Sequence, residues 1–175
     1  RAILEGDEFT GVCVMKIEPT LDTGGIYRKE VVPLNSGVSL EKARNELCEK
    51  GTELLIDCFK LGFGVPKPQI GDPVYAHKIK PEEHQIQWTQ SASQIHRVIR
   101  LGNAWTLVGG KRVRILEASF DDLADLKAGE IKGVVVGTGE GSINLITVKP
   151  EGRKELPAAD WMNGLRLGAE ARLGE

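Results

Sequence analysis

Between positions 62 and 81 the chain carries Gly62, Gly64, Pro66, Pro68, Gly71, Pro73 and Pro81. That density of breakers excludes a helix or a continuous strand through most of the stretch, because proline has no amide donor and glycine is too permissive to propagate either element. The flanks are therefore read separately. At 175 residues and 41% hydrophobic content, the chain has room for one ordinary domain, or for a domain remnant and a small second domain. The stretch itself, taken through residue 90, reads as an ordered linker. Val74, Tyr75, Ile79, Ile86 and Trp88 are too apolar for a free tether and are expected to pin it against the domains on either side.

On the N-terminal flank, RAILEGDEFTG reads as a helix end running into a turn. The chain opens at Arg1, without a methionine, and is expected to be a fragment of a longer parent. Residues 11 to 17, GVCVMKI, form a short apolar run bounded by Gly11 and Pro19, the pattern of a buried strand. The turn-rich PTLDTGG then leads into a second strand, IYRKEVVPL, in which β-branched and aromatic residues alternate with charge. From Ser39, a plausible N-cap, the period becomes helical: Leu40, Ala43, Leu47, Leu54, Leu55 and Phe59 share a stripe. Gly51 is a point of interruption, at about 1 kcal/mol relative to Ala.

On the C-terminal flank, SASQIHRVIR has Ser91 at a cap and Ile95, Val98 and Ile99 on one stripe, giving a short helix. The runs AWTLVGG, KRVRILEASF, GEIKGVVVGTG and GSINLITVKP are short, β-rich and separated by glycines, which predicts a small closed sheet or barrel. Gly109-Gly110 suits a hairpin turn. A terminal helix is framed by Pro157 and by Gly164 or Gly168.

The net charge of −2 and pI near 6.0 argue against a uniformly basic nucleic-acid binder but leave room for a local patch. Cys13, Cys48 and Cys58 form no CxxC pair, so neither a disulfide framework nor a metal site is expected, and they read as small buried hydrophobes in a reducing cytoplasm. No apolar run approaches the roughly 18 residues needed to span a bilayer, and no signal-peptide pattern opens the chain, so a soluble protein is expected.

The string RAILEGDEFTGVCVMKIEPTLDTGGI carries more information than any of these patterns. It resembles the 10-formyltetrahydrofolate-dependent formyltransferases, in which an AI..GD..TGV segment runs through a strand into an LDTG loop. Ala2, Ile3, Gly6, Asp7, Thr10, Gly11, Val12, Leu21, Asp22, Thr23, Gly24 and Ile26 match. A lone DTG would carry little weight, since the aspartic proteases use the same triplet in an all-β setting. A second match lies at Tyr75, Ala76, Lys78, Ile79, Ile86 and Trp88, similar to the family's YA.KI and I.W pattern. A third, PEGRKELPAADWMNGLRLG, is similar to the closing segment of the methionyl-tRNA formyltransferases. Glycinamide ribonucleotide enzymes share the first match but lack the barrel, so the last two favour the tRNA branch. One departure stands out: this chain has RLGNAW where the family usually carries a longer, proline-containing join.

The resemblance implies an α/β remnant of a Rossmann-like formyltransferase domain over 1–61, the linker over 62–90, and a small β-barrel (OB-like) C-terminal domain with flanking helices over 91–175. It also implies transfer of a formyl group from 10-formyltetrahydrofolate to the amine of initiator methionyl-tRNA, in the cytoplasm, by a parent expected to be a monomer, with no metal and no membrane partner. Such a site must stabilise a tetrahedral oxyanion and handle protons from the attacking nitrogen. Of the Asn, His and Asp that the family uses, only the Asp is present, as Asp22. The other two are expected upstream of Arg1, so the chain alone is expected to be inactive. Asp22 would hold the catalytic His in its effective protonation state and order a water. Leu21, Thr23, Gly24 and Gly25 would form the folate loop, the glycines allowing close backbone approach. The alternative for Asp22 is turn initiation, a common task for Asp. His77, His84 and His96 are read as solvated or packing residues.

Between Thr89 and Leu116 there is no Asp or Glu, while Arg97, Arg100, Lys111, Arg112 and Arg114 all fall there. With Lys78 and Lys80 they could form a phosphate-binding patch, which the family's use of its barrel to hold tRNA favours; the alternative is an ordinary solvated face. Three competing functions remain open: a 10-formyltetrahydrofolate hydrolase or dehydrogenase-type domain, a sugar-amine formyltransferase, and a non-catalytic RNA-binding or assembly module.

Overall fold

A computed structural model describes residues 1–121, 125–165 and 172–174. Contacts divide the chain between His77 and Lys78, inside the breaker-rich stretch, and the two units are taken in turn.

The first unit starts with one helical turn, α1 (Ala2–Glu5), closed by Gly6. Strands β1 (Phe9–Met15) and β2 (Ile26–Pro33) pair antiparallel, with Phe9 opposite Pro33 and Cys13 opposite Lys29. Helix α2 (Leu40–Leu61) follows; the Ser39 hydroxyl accepts from the Lys42 amide and so satisfies one of the donors a helix start leaves open. The sheet face carrying Val12 meets this helix. Lys50 reaches Glu30, the residue opposite Val12, at 3.2 Å, and a Cβ placed on Gly51 would come within 3.0 Å of Val12 Cγ2.

Three expectations are corrected by this packing. Gly51 does not interrupt α2: the missing side chain is where Val12 sits, and the helix continues for another ten residues. The first strand is not buried, because only one face of a two-stranded sheet is covered; Phe9, Gly11 and Cys13 face outward and Ile17 is exposed beyond the strand. The stripe on α2 is sunk only in part, with Ala43 buried and Leu55 and Phe59 exposed. Phe59, Phe63 and Tyr27 instead pack edge to face at 5.2–5.3 Å between centroids, holding the start of the breaker-rich segment. Among the cysteines only Cys58 is buried, and Cys13 and Cys48 are exposed.

The second unit begins with a 3-10 helix, Pro81–His84, whose first amide, at Lys80, donates to the Glu83 carboxylate at 2.7 Å. Ile86 and Trp88 are buried here, while Val74 and Tyr75, expected to be anchors too, are exposed. Helix α3 (Ala92–Arg100) opens with a reciprocal cap: the Gln94 amide donates to the Ser91 hydroxyl, and the Ser91 amide to the Gln94 side chain. Ile95, Val98 and Ile99 are buried at the expected helical spacing.

The sheet comprises β3 (Trp105–Val108), β4 (Lys111–Asp121), β5 (Ile131–Lys132), β6 (Val135–Gly137), β7 (Ser142–Pro150) and β8 (Leu156–Pro157). Its order is β3-β4-β7-β6-β5, with β8 beside β7, and every pairing between named strands is antiparallel. Gly109 and Gly110, at φ 53° and 73°, make the two-residue turn that joins Val108 to its partner Lys111, a geometry that twists with the strands. Val113 and Ile115 point inward on β4; register shifts around Glu117 then let Ala118 resume the inward row. Ile143, Leu145 and Val148 complete the core from β7. Inside the core, Trp88 Nε1 donates to the Thr106 hydroxyl at 2.9 Å.

Helix α4 (Ala158–Gly164) starts at Pro157 and buries Trp161; Gly168, the alternative end, lies outside the described residues. The named strands form an open path rather than a closed ring. Residues 172–174 touch both of its ends: the Leu173 amide donates to Gly129 O, just before β5, and the Gly174 amide to Leu107 O on β3, each at 2.9 Å. No helix among the described residues is long and apolar enough to cross a membrane.

Candidate functional site

Residues 16–25 connect β1 to β2, so the LDTGG sequence occupies the loop of an antiparallel pair. The loop is closed by its own backbone. The Lys16 amide donates to Gly25 O at 2.9 Å, and a Cβ on the buried Gly24 would overlap Lys16 O. A Cβ on Gly25 would stand 3.0 Å from Pro66 Cβ and 3.2 Å from Lys67 O. The two glycines thus have an intramolecular reason, close approach of the loop's own chain, beside any ligand they would admit.

Asp22 is the one non-glycine described residue with positive φ, at 57°. A left-handed conformation costs an L-residue about 1–2 kcal/mol, less for Asp than for most. Something must hold it, and Gln69 does. Its Nε2 donates to Asp22 O at 2.8 Å and to Gly24 O at 2.9 Å. Residues 67–69 are placed for this by paired backbone bonds between Ile26 and Lys67, 2.7 and 2.9 Å. Thr23 is exposed, its hydroxyl donating to Thr20 O, and Leu21 is exposed. Asp22 is exposed too, and no hydrogen bond or ion pair engages its carboxylate among the described residues. Asp is one of the few non-glycine residues that adopt this conformation readily, in turns as well as at working positions. Sequence reading singled out Asp22 but not Gln69, which sits in PKPQI with no local pattern to mark it.

The predicted basic residues separate into groups. On β4, Arg112 and Arg114 face outward and line a cavity of about 540 Å³ together with His84, Asn103, Lys149 and Glu151. Arg112 lies over the Trp105 ring at 4.0 Å. Arg114 donates to Gly102 O at 2.8 Å and to Asn103 Oδ1 at 2.9 Å, fastening the turn that follows α3. Lys111 adjoins Arg112 on a second cavity, against α4. Arg97 lines a third, beside Glu140. Arg100 is half-buried, and burial, then the charge of Arg97, lowers its pKa. Lys78 and Lys80 are exposed on either side of Ile79. Lys149, His84 and Trp105 were not anticipated: Lys149 joins the group only through strand pairing, which puts it opposite Arg114.

His96 packs against Phe120, and one ring nitrogen lies 3.1 Å from Ala118 O. Burial lowers its pKa most; the Ala118 contact raises it and Arg100 lowers it further. It acts as a packing residue, as expected.

Residues 78–166 match the family described as formyl transferase, C-terminal domain, and this chain belongs to that family. Over its full length it is 35% identical to a methionyl-tRNA formyltransferase of Thermus thermophilus, covering 60% of that protein. It is 34% identical over 95% of its length to that of Jannaschia sp. (strain CCS1), covering 58%. The chain thus spans about three-fifths of the curated relatives it matches. Among solved structures, HypX from Aquifex aeolicus in complex with tetrahydrofolic acid superposes with TM-score 0.70 at 21% identity, over 92% of this chain and 31% of that one. Methionyl-tRNA formyltransferase from Clostridium thermocellum superposes with TM-score 0.58 at 21% identity, over 83% and 60%. At these identities the superpositions speak for the fold.

Proposed function

We propose that the complete protein transfers a formyl group from 10-formyltetrahydrofolate to the α-amino group of initiator methionyl-tRNA, and that Asp22 is its catalytic carboxylate. The observation that carries this reading is the 35% identity to a methionyl-tRNA formyltransferase over a match that covers the whole chain. Residues 1–61 are then the C-terminal part of the catalytic domain, 62–90 the connection, whose second half from Lys78 packs as part of the second unit, and 91–175 a barrel domain. The bonds from Leu173 and Gly174 to both ends of the strand path support closure of that barrel.

The folate supplies the one-carbon acyl group. Asp22 holds a proton-transfer partner, a His from outside this chain, in its working state and orders a water that carries protons away from the attacking amine. The exposed carboxylate is open to a donor and an acceptor; Leu21 and Thr23 complete the folate loop, and Gly24 and Gly25 let it close tightly on Lys16 and Pro66. Gln69 fixes the loop in advance, so no reorganisation is needed at the moment of reaction. Lys78, Lys80, Arg97, Arg100, Lys111, Arg112 and Arg114 supply the tRNA-facing charge. The parent works as a cytoplasmic monomer.

An acceptor panel tests this. With 10-formyltetrahydrofolate as donor, the complete protein is expected to formylate methionyl-tRNA and to leave a sugar-amine nucleotide untouched, with little free formate. Formate as the main product, or formylation of the sugar amine alone, would replace this reading with a hydrolase or a sugar-amine transferase. The 175-residue chain alone is expected to turn over nothing; measurable formylation would show that Asp22 needs no partner from elsewhere.

A further inference from the structure

We propose that the groove between the start of β2 and residues 67–70 binds the glutamyl tail of the folate donor, with Lys29 and Lys67 as ligands for its carboxylates and Arg28 beside them. The proposal deepens the donor reading above and rests on it for the identity of the ligand; the anion site itself rests on the observations that follow.

The groove, of about 520 Å³, is lined by residues 26–29 and 67–70. Three of these eight residues are cations and none is acidic. Backbone pairing of Ile26 with Lys67 draws the two segments together, so charges far apart in sequence meet on one groove. Lys29 and Lys67 are exposed, and among the described residues neither they nor Arg28 forms an ion pair with a carboxylate. Glu30, the next residue on β2, is held instead by Lys50 of α2 at 3.2 Å. Like charges gathered without a counter-ion repel one another, and an anion placed among them turns that repulsion into attraction.

Arg28 adds an unmet hydrogen bond. Its Nη2 donates to Gly62 O at 3.5 Å, while its Nε is buried and has no partner. A guanidinium only donates, so what is missing is an acceptor. The groove also has an apolar side, formed by Pro68 and by Ile70, which is 99% exposed. A ligand that answers both demands has an apolar body that ends in carboxylates. The folate donor has this form: beyond the N10 that carries the formyl group come an aminobenzoyl ring and a glutamate with two carboxylates, and each further γ-linked glutamate adds another. Its placement agrees with the loop. Gln69 lines the groove and also holds Asp22 O and Gly24 O, and residues 21–25 run directly into β2. With the formyl carbon at Asp22, the groove is the continuation along which the tail lies. An RNA phosphate would meet the charge but leave the apolar side uncovered.

Tetrahydrofolate carrying one or three glutamates would be titrated calorimetrically into the complete protein over a range of salt, beside thermal melts and initiator tRNA binding. The wild type is expected to bind the triglutamate about tenfold more tightly than the monoglutamate, a preference that shrinks as salt rises. Lys29→Gln and Lys67→Gln alter exposed side chains; the pair should melt like the wild type and retain a preference of about twofold or less, each single variant falling between. Lys29→Arg with Lys67→Arg keeps the charge and should keep the preference. A wild type without preference, or a double Gln variant that melts normally and retains it, overturns the site. A double Gln variant that loses tRNA affinity but keeps the glutamate preference assigns these charges to RNA and overturns it as well. If the wild type binds both folates equally and still formylates methionyl-tRNA, only the tail site falls; if it binds neither folate, the donor reading falls with it.

Discussion

Gln69 offers a sharp perturbation of the proposed site because it acts through two bonds on one loop. Its Nε2 donates to Asp22 O and Gly24 O at 2.8 and 2.9 Å. Each such bond is worth about 0.5–1.5 kcal/mol net, so the pair supplies about 1–3 kcal/mol against the roughly 1–2 kcal/mol cost of a left-handed residue at Asp22. Gln69→Ala removes that support and is expected to shift the loop by about 1.4 kcal/mol or more, at least a tenfold loss of the competent arrangement. In the complete protein, kcat for formyl transfer should fall about tenfold with KM for methionyl-tRNA nearly constant, since the loop and not the tRNA surface is disturbed. Thermal stability should barely change, because the loop is exposed. Gln69→Glu should do worse: it keeps the length but offers only acceptors to two carbonyls. Single-turnover kinetics separate chemistry from product release. A Gln69→Glu protein that turns over like the wild type would refute the claim that this side chain positions Asp22.

Three further outcomes follow from the packing. Gly24→Ala forces a Cβ onto Lys16 O and should cost about 1–3 kcal/mol, read as a lower denaturation midpoint for the first unit; an unchanged midpoint would mean that the loop closes differently. Trp88→Phe leaves the buried Thr106 hydroxyl without its donor and should destabilise the second unit by about 2 kcal/mol, measured by urea unfolding, whereas Thr106→Val alone should cost less than Trp88→Phe. His96 has a folded-state pKa below the ordinary 6.5, so the unfolded chain binds protons more readily. Its contribution to stability is complete above pH 6.5 and declines as pH falls toward the lowered value; melts between pH 5 and 8 should show this slope, and His96→Gln should flatten it.

Much of the architecture could be read from local pattern. Ser91 announced the cap of α3, and Gly109-Gly110 announced its hairpin, because both signals act within a few residues; Gln94, which completes the cap, was not singled out. Asp22 was proposed through the long string around LDTGG, not through its own chemistry. What escaped depended on partners distant in sequence. Gly51 reads as a helix breaker until Val12 is seen to fill its place, and the first strand reads as buried until its sheet proves to be two strands wide. Gln69 reaches across more than forty residues, and Lys149 joins Arg114 only once β4 and β7 are in register. The basic run read as one stripe, yet alternation on β4 and the helical turn of α3 distribute it over separate cavities.

The central claim is that the Asp22 carboxylate serves the transfer step, and Asp22→Asn in the complete protein tests it most directly. Asparagine preserves size and also tolerates the left-handed backbone, so the loop should survive while the charge is lost. The single-turnover rate of methionyl-tRNA formylation is expected to fall about a hundredfold or more, with tRNA affinity unchanged. A rate within twofold of the wild type would contradict the account and leave Asp22 as a turn residue.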